Sequence, residues 1–108
     1  MEAGWFFQDC CETAGPANGA VCYFSFDGEL QGVFRYKDLT PRTLASRGVW
    51  VHPSIRGLGI ATQMVEFAMQ NLGKTTFQGY SVTQDGLSFL KGLKETANFR
   101  VIDRNPDA

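Results

Sequence analysis

Residues 49–72 constrain the fold of this chain more than any other segment. The run Val49-Trp50-Val51, rich in β-branched residues, leads into a loop with Arg56 and two glycines, and an amphipathic stretch follows. This pattern predicts a buried strand over residues 48–52, a tight loop, and a helix over residues 57–71 that ends before Gly73. The predicted apolar stripe of the helix consists of Ile60, Ala61, Met64, Val65, Phe67, Ala68 and Leu72.

The loop, residues 56–61, is suited to bind a diphosphate, and we call it the phosphate loop. The first amides of a helix lack partners within it, and the helix dipole places partial positive charge there. Gly57 and Gly59 let the backbone approach a ligand closely, and Arg56 adds forked donors. A Walker A loop would require Gly-Lys-Ser/Thr, and a Rossmann fingerprint would require glycine instead of Thr62. A tight turn without a ligand is the alternative.

Three motifs in this chain resemble, in the same order, those of the GCN5-related N-acetyltransferase (GNAT) family. Val51-x-Pro53 followed by Arg56-x-x-Gly59-x-Ala61 resembles its acetyl-CoA-binding motif. The heptapeptide at residues 27–33, Asp-Gly-Glu-Leu-Gln-Gly-Val, resembles its second hairpin. Thr83-x-x-Gly86-x-x-Phe89-Leu90 and Ala97-Asn98-Phe99 resemble its fourth helix and last strand. The resemblance covers residues 20–103.

This resemblance implies an α/β (α+β) class and the acyl-CoA N-acyltransferase fold, a mixed, mostly antiparallel central sheet flanked by helices. It implies direct transfer of an acetyl group from acetyl-CoA to an amine in a ternary complex, without a metal. The pantetheine arm would pair with the strand before the loop, and the loop amides would hold the diphosphate. The expected cofactor contacts are Val49, Trp50, Val51, Arg56, Gly57, Leu58, Gly59, Ile60, Ala61 and Phe89. For Phe89, plain core packing is an equal alternative. Trp50 is interpreted as a core residue, with a wall of the acceptor site as the alternative.

The catalytic groups familiar in this family are not matched. Leu90 stands where a general-acid tyrosine is common, and residues 45–50 offer no carboxylate where a glutamate is common. Tyr80 is the candidate acid, with Ser81 beside it, although an aromatic core residue is the alternative for Tyr80. Other candidates for proton transfer are Glu29, Tyr36, Asp38, His52 and Ser88. A catalytically inert acyl-CoA-binding module, or a protein-interaction module with the same fold, is therefore the alternative function.

The remaining pattern predicts two strands over residues 20–26 and 29–36 around a two-residue Asp27-Gly28 turn, a strand over 75–81, a helix over 84–94 and a strand over 99–102. Residues 1–19 are expected to be irregular, although residues 5–11 could form a short helix or strand. They are too few for the strand and two helices with which the family begins. The acceptor side should therefore be open, which favours a homodimer or a macromolecular acceptor such as a protein lysine or N-terminus, with a small amine as the alternative.

Length, charge and cysteine content narrow the remaining possibilities. A chain of 108 residues with 44% hydrophobic residues allows one domain, residues 1–108, with one core. The net charge of −1 gives no overall basic field for nucleic acid, and no apolar run reaches the length of a membrane span. Three cysteines, two of them adjacent, and a single histidine favour a reduced, cytoplasmic setting and disfavour a zinc site.

Overall fold

The computed structural model describes residues 4–9, 18–79 and 84–103, which form one six-stranded sheet and two α-helices. The strands are β1 (Gly4–Asp9), β2 (Asn18–Phe24), β3 (Leu30–Asp38), β4 (Thr43–Val51), β5 (Thr76–Gly79) and β6 (Arg100–Asp103). The helices are a 3-10 turn (Pro53–Ile55), α1 (Ile60–Leu72) and α2 (Gln84–Thr96). Strands β1 to β4 pair antiparallel, whereas β5 and β6 extend the sheet in parallel. The predicted mixed, mostly antiparallel sheet is confirmed.

Both helices lie on the same face of the sheet, because Met64 of α1 and Leu90 of α2 belong to one core cluster with Phe77 of β5. This helix-covered face carries the fully buried side chains Val21, Phe34, Leu44 and Phe77. Within the described residues no helix covers the other side, which we call the open face. By register it carries Gln31, Val33, Arg35, Lys37, Gly48 and Trp50. No helix in the described ranges has the length and apolarity to cross a membrane.

Helix α1 begins three residues later than predicted and ends as predicted. Gly57 and Gly59 have φ angles of 83° and 82°, which a right-handed helix excludes, so the helix starts at Ile60. At the other end Gly73 has φ 64°, its N–H donates to Gln70 O, and Lys74 N–H donates to Met69 O. The buried residues of the helix are Ile60, Met64, Val65, Ala68 and Met69, so the stripe includes Met69, whereas Ala61, Phe67 and Leu72 are half-buried.

The turn between β2 and β3 is longer than predicted. Residues 25–29 connect the strands, and Ser25 N–H donates to Glu29 O at 2.9 Å. Gly28 has φ 89° and its N–H donates to Ser25 O, while Glu29 N–H also donates to Ser25 Oγ. These local hydrogen bonds take the place of hydrogen bonds in the β2–β3 ladder. The register of that ladder shifts between Tyr23 and Phe24. The predicted two-residue turn is therefore wrong, although Gly28 has the positive φ that such turns require.

The N-terminal segment contains a strand where irregular chain was predicted. Residues Gly4–Asp9 form β1, which pairs antiparallel with β2 from Gly4 opposite Phe24 to Asp9 opposite Gly19. An aromatic run has high strand propensity, and β2 offers it an edge to pair with. The expectation of irregular chain is thus wrong for residues 4–9, whereas the alternative of a short strand within residues 5–11 agrees with β1. Only residues 10–17 connect β1 and β2, which is too short for two helices of ordinary length.

Lys74 ties the end of α1 to the turn between β3 and β4. Its Nζ donates to Asp38 Oδ1 and to Thr40 O, and its side chain is only 4% exposed. Because the ammonium is buried, Asp38→Asn should lower the free energy of unfolding by about 1–3 kcal/mol, as measured by urea denaturation. Glu66→Gln, which neutralises an exposed carboxylate on α1, is the control. Equal stability of the two variants would show that the ion pair contributes nothing.

Candidate functional site

Strands β4 and β5 pair over a short distance and then separate. Thr43, Leu44 and Ala45 pair in parallel with residues 76–78, whereas residues 46–51 of β4 have only β3 beside them within the described part of the chain. Opposite Arg35 and Tyr36 the register shifts, which leaves Arg47 as an extra residue in β4. Such a β-bulge bends its strand and increases its twist. A V-shaped gap therefore opens beyond Ala45.

The second half of β4 is less buried than predicted. Gly48 and Trp50 are exposed and Val49 and Val51 are half-buried, whereas the buried residues of this strand are Leu44 and Ala45. The prediction of a buried strand over residues 48–52 was wrong, because the described residues of β5 pair only with residues 43–45 of β4. Trp50 was also wrongly interpreted as a core residue. Its side chain is 43% exposed, and its ring meets that of His52 edge-on at 6.1 Å.

The backbone of β4 directs alternate polar groups into the gap. His52 N–H donates to Gln31 O at 2.7 Å, which fixes this pair as a hydrogen-bonded pair of the β3–β4 ladder. Hydrogen-bonded and non-hydrogen-bonded pairs alternate in an antiparallel ladder, so Trp50 bonds to β3 while Val49 and Val51 point away from it. Val51 O accepts a hydrogen bond from Arg56 Nε at 2.8 Å, which agrees with a Val51 carbonyl that points away from β3. The N–H groups of Val49 and Val51 therefore face the gap.

The phosphate loop presents an uncapped helix N-terminus. The first hydrogen bond of α1 runs from Gln63 N–H to Gly59 O, so the amides of residues 60–62 have no partner inside the helix. No side chain caps this end. A Cβ placed on Gly57 or Gly59 would meet nothing within 4 Å, so the backbone lies open to solvent there. Arg56 is anchored beside these amides through its bond to Val51.

These features line one cavity of about 600 Å³. It lies between the second half of β4, the phosphate loop and α2. Its lining residues are Val49, Trp50, Val51, Ile55, Arg56, Gly57, Gly59, Ile60, Ala61, Thr62, Gly86, Ser88 and Phe89. The structure thus brings together every predicted cofactor contact except Leu58, whose side chain is 66% exposed in the loop. That these residues bind a cofactor stays a prediction.

Phe89 is compatible with both of its predicted roles, cofactor contact and core packing, because it lines the cavity and also packs against the core cluster. Sequence reasoning missed Ile55 and Thr62. Thr62 could have been found as the third residue of a helix whose first amides lack partners. Ile55 carries no comparable signal, since it lies in the three-residue 3-10 turn that begins at Pro53, which is too short to show a periodic pattern.

The predicted catalytic residues Tyr80 and Ser81 lie outside the described residues. Of the other candidates for proton transfer, only Ser88 lines the cavity. Among the described lining residues there is no carboxylate, imidazole or thiol. Their polar side-chain groups are the Arg56 guanidinium, the hydroxyls of Thr62 and Ser88 and the indole N–H of Trp50. Nor do the described residues contain a cluster of His, Cys, Asp or Glu able to hold a metal ion.

The remaining four candidates are not among the residues that line the cavity. Tyr36 is buried and its ring packs against Phe34 at 5.8 Å, while Asp38 is paired with Lys74. Glu29 lies in the turn between β2 and β3. His52 Nδ1 accepts a hydrogen bond from Ser54 N–H at 3.1 Å and so caps the 3-10 turn.

Comparison with known proteins agrees with this architecture. The model of the acetyltransferase (GNAT) family matches residues 2–85. An IAA acetyltransferase from Bacillus cereus ATCC 14579 superposes with a TM-score of 0.65 at 14% identity, covering 87% of this chain and 75% of that chain. The ribosomal-protein-alanine N-acetyltransferase from Brucella melitensis biovar Abortus 2308 gives 0.62 at 22% identity, covering 80% and 67%.

A third similar structure contains a ligand. AAC(6')-Iy in complex with the bisubstrate analog CoA-S-monomethyl-acetylneamine gives a TM-score of 0.58 at 17% identity, covering 79% of this chain and 63% of that chain. No curated protein matches this chain in sequence. The superpositions establish the shared fold, and the family match extends over most of the chain. The chain therefore belongs to the GNAT family of acetyltransferases.

Proposed function

We propose that this protein binds acetyl-CoA in the gap between β4 and β5 and transfers the acetyl group directly to an amine in a ternary complex. The observation that carries the proposal is the placement of an uncapped helix N-terminus, an anchored guanidinium and an unpaired strand edge around one cavity. Such a site offers donors to a diphosphate and an edge to an extended chain that contains amides. Coenzyme A contains both a diphosphate and an extended pantetheine chain with amides, joined in one molecule. The complex of AAC(6')-Iy with a coenzyme A derivative supports the proposal.

In this proposal the bound cofactor has one direction. The diphosphate binds at the phosphate loop, at the mouth of the gap, and the pantetheine arm runs along β4 toward the point where β4 and β5 join. Val51 N–H meets the arm first, and Val49 N–H lies deeper, nearer Ala45. The thioester at the far end of the arm therefore lies closest to Val49. Phe89, on α2, packs against the arm from the other side.

Acetyl transfer at this site consists of one substitution at the thioester carbonyl. The amine nitrogen attacks the carbonyl carbon, negative charge develops on its oxygen, the carbon–sulfur bond breaks, and coenzyme A leaves as a thiolate. Val49 N–H donates to the developing oxyanion, and orientation of the two reactants supplies much of the acceleration. We propose Tyr80, with Ser81 beside it, as the group that protonates the thiolate. The proton lost by the amine then passes to the Tyr80 phenolate, directly or by way of water, and restores its hydroxyl.

An inert acyl-CoA-binding module is the second candidate function. The observation in its favour is the lack of a carboxylate or imidazole among the described residues that line the cavity. In that case the protein would bind acetyl-CoA and act through a partner. A homodimer or a macromolecular acceptor that closes the open face, and a cytoplasmic location, stay predictions.

Two measurements separate these functions. Acetyl-CoA at about 100 times its Kd should raise the Tm by roughly 10 °C, whereas pantetheine, which lacks the diphosphate, should raise it far less. Thiol release from acetyl-CoA is then followed with a panel of amines. Binding with release supports the transferase, and binding without release supports the inert module. No change of Tm at millimolar acetyl-CoA would contradict both.

A further inference from the structure

The open face has a notch at Gly48, where β4 has no side chain, and this notch lies beside the proposed thioester position. A Cβ placed on Gly48 would meet nothing within 4 Å, and its φ of 141° is one that side chains other than that of glycine rarely adopt. Trp50, two residues further along β4, stands on the same face and is 43% exposed. Gly48 directly precedes Val49, whose N–H faces the gap. The notch therefore opens next to the amide that is proposed to polarise the thioester.

Two cations stand beside this notch. Arg35 pairs directly opposite Gly48, and Lys37 follows two residues later on the same face of β3. Both are exposed, whereas Phe34 and Tyr36, which alternate with them, are buried on the helix-covered face. Because Gly48 has no side chain, nothing on β4 opposite Arg35 blocks its guanidinium from the gap.

No described anion on strands β2 to β4 balances these cations. Asp38 is the single acidic residue of the three strands, and it pairs with Lys74 at the far end of β3. The chain as a whole has a net charge of −1, so the basic character is a local property of this surface.

We propose that the acceptor is an amine that carries an anionic group, either a carboxylate or a phosphate, and that Arg35 binds this group with help from Lys37. The inference rests on the proposed function. Coenzyme A fills the cavity between β4 and the helices, so the amine must reach the thioester from the open face, through the notch at Gly48. A guanidinium binds carboxylate or phosphate in a forked geometry, and Arg35 holds it opposite that entrance. The same charges disfavour polyamines and lysine-rich peptides.

Matched pairs of small amines test this proposal and separate the two anions. Glycine is compared with glycinamide, and phosphoethanolamine with ethanolamine, with spermidine as the cationic probe. Each is titrated into isotope-labelled protein saturated with coenzyme A, and the amide resonances of Arg35, Gly48 and Val49 are followed. We expect the anionic member of at least one pair to bind about 10- to 100-fold more tightly than its neutral partner, and that pair identifies the anion. Equal binding within both pairs, tighter binding of spermidine, or no change of these resonances would overturn the proposal.

Substitution of Arg35 assigns the effect to this site. Arg35→Gln should abolish the preference for the anionic amine and raise its KM about 10- to 100-fold while leaving the Kd of acetyl-CoA unchanged. Lys91→Gln, which removes an exposed cation on α2, should retain the preference. A preference that survives Arg35→Gln would overturn the proposal. If coenzyme A itself does not bind, the proposed function fails. The same amine titrations, repeated without coenzyme A, then decide whether Arg35 binds the anion.

Discussion

Replacing Arg56 by glutamate is expected to weaken acetyl-CoA binding by about 100-fold, because the cation beside the phosphate loop becomes an anion. The Val51 carbonyl holds Arg56 Nε, so the guanidinium charge is fixed at the mouth of the gap and its Nη groups are the donors for the diphosphate. A carboxylate at this position would repel the diphosphate instead. Isothermal titration calorimetry at constant ionic strength measures the loss.

Two further variants make this result specific. Arg42→Glu produces the same change of charge on an exposed residue of the turn before β4, at the opposite end of that strand, and should leave the affinity nearly unchanged. Arg56→Lys keeps the charge but loses the bond to Val51, so an intermediate loss of about tenfold is expected. Equal affinities of the Arg56→Glu and Arg42→Glu variants would show that Arg56 has no part in binding.

Replacing Val49 by proline should lower the rate of acetyl transfer by about 100-fold or more while the fold persists. Proline removes the N–H that faces the gap, which is proposed to polarise the thioester carbonyl. The β3–β4 ladder keeps its hydrogen bonds, since Val49 belongs to a non-hydrogen-bonded pair with Phe34. The measurement is kcat for thiol release with the best amine acceptor, accompanied by the Tm of each variant.

Neighbouring substitutions control for damage to the strand. Trp50→Pro removes an N–H that bonds to β3 and should cost about 3 kcal/mol of stability, unlike Val49→Pro. Val49→Ala keeps the N–H and should retain most of the activity. If Val49→Pro and Trp50→Pro unfold alike, the assignment of the Val49 amide to the gap is wrong. If Val49→Pro folds and transfers acetyl at the normal rate, this amide does not polarise the carbonyl.

The phosphate loop could be predicted because its determinants are local. Two glycines, an arginine and the onset of helical periodicity lie within a few consecutive residues, and the structure gives Gly57 and Gly59 the positive φ angles that end the loop and begin the helix. The signal that ends α1 is equally local, because it is the single residue Gly73. In each case the backbone conformation itself demands glycine, so the residue type reveals the geometry.

Features that depend on distant pairing could not be predicted. The exposure of Trp50 follows from the short pairing of β4 with the described residues of β5 and from the open face, which residues 48–52 do not encode. The aromatic run at the start of β1 is compatible with a helix or a strand. It forms a strand because the edge of β2 is available to pair with it. The notch at Gly48 requires the bulge at Arg47, which is defined only by the register of β4 against β3.

The most direct test of the account is a titration of isotope-labelled protein with coenzyme A, followed through its backbone amide resonances. We predict that the amides of Gly57, Gly59, Ile60 and Ala61 shift most, that inorganic diphosphate alone shifts the same amides, and that pantetheine shifts Val49 and Val51 instead. Saturable shifts confined to other parts of the protein, with the phosphate loop unchanged, would contradict the claim that the start of α1 binds the diphosphate of coenzyme A.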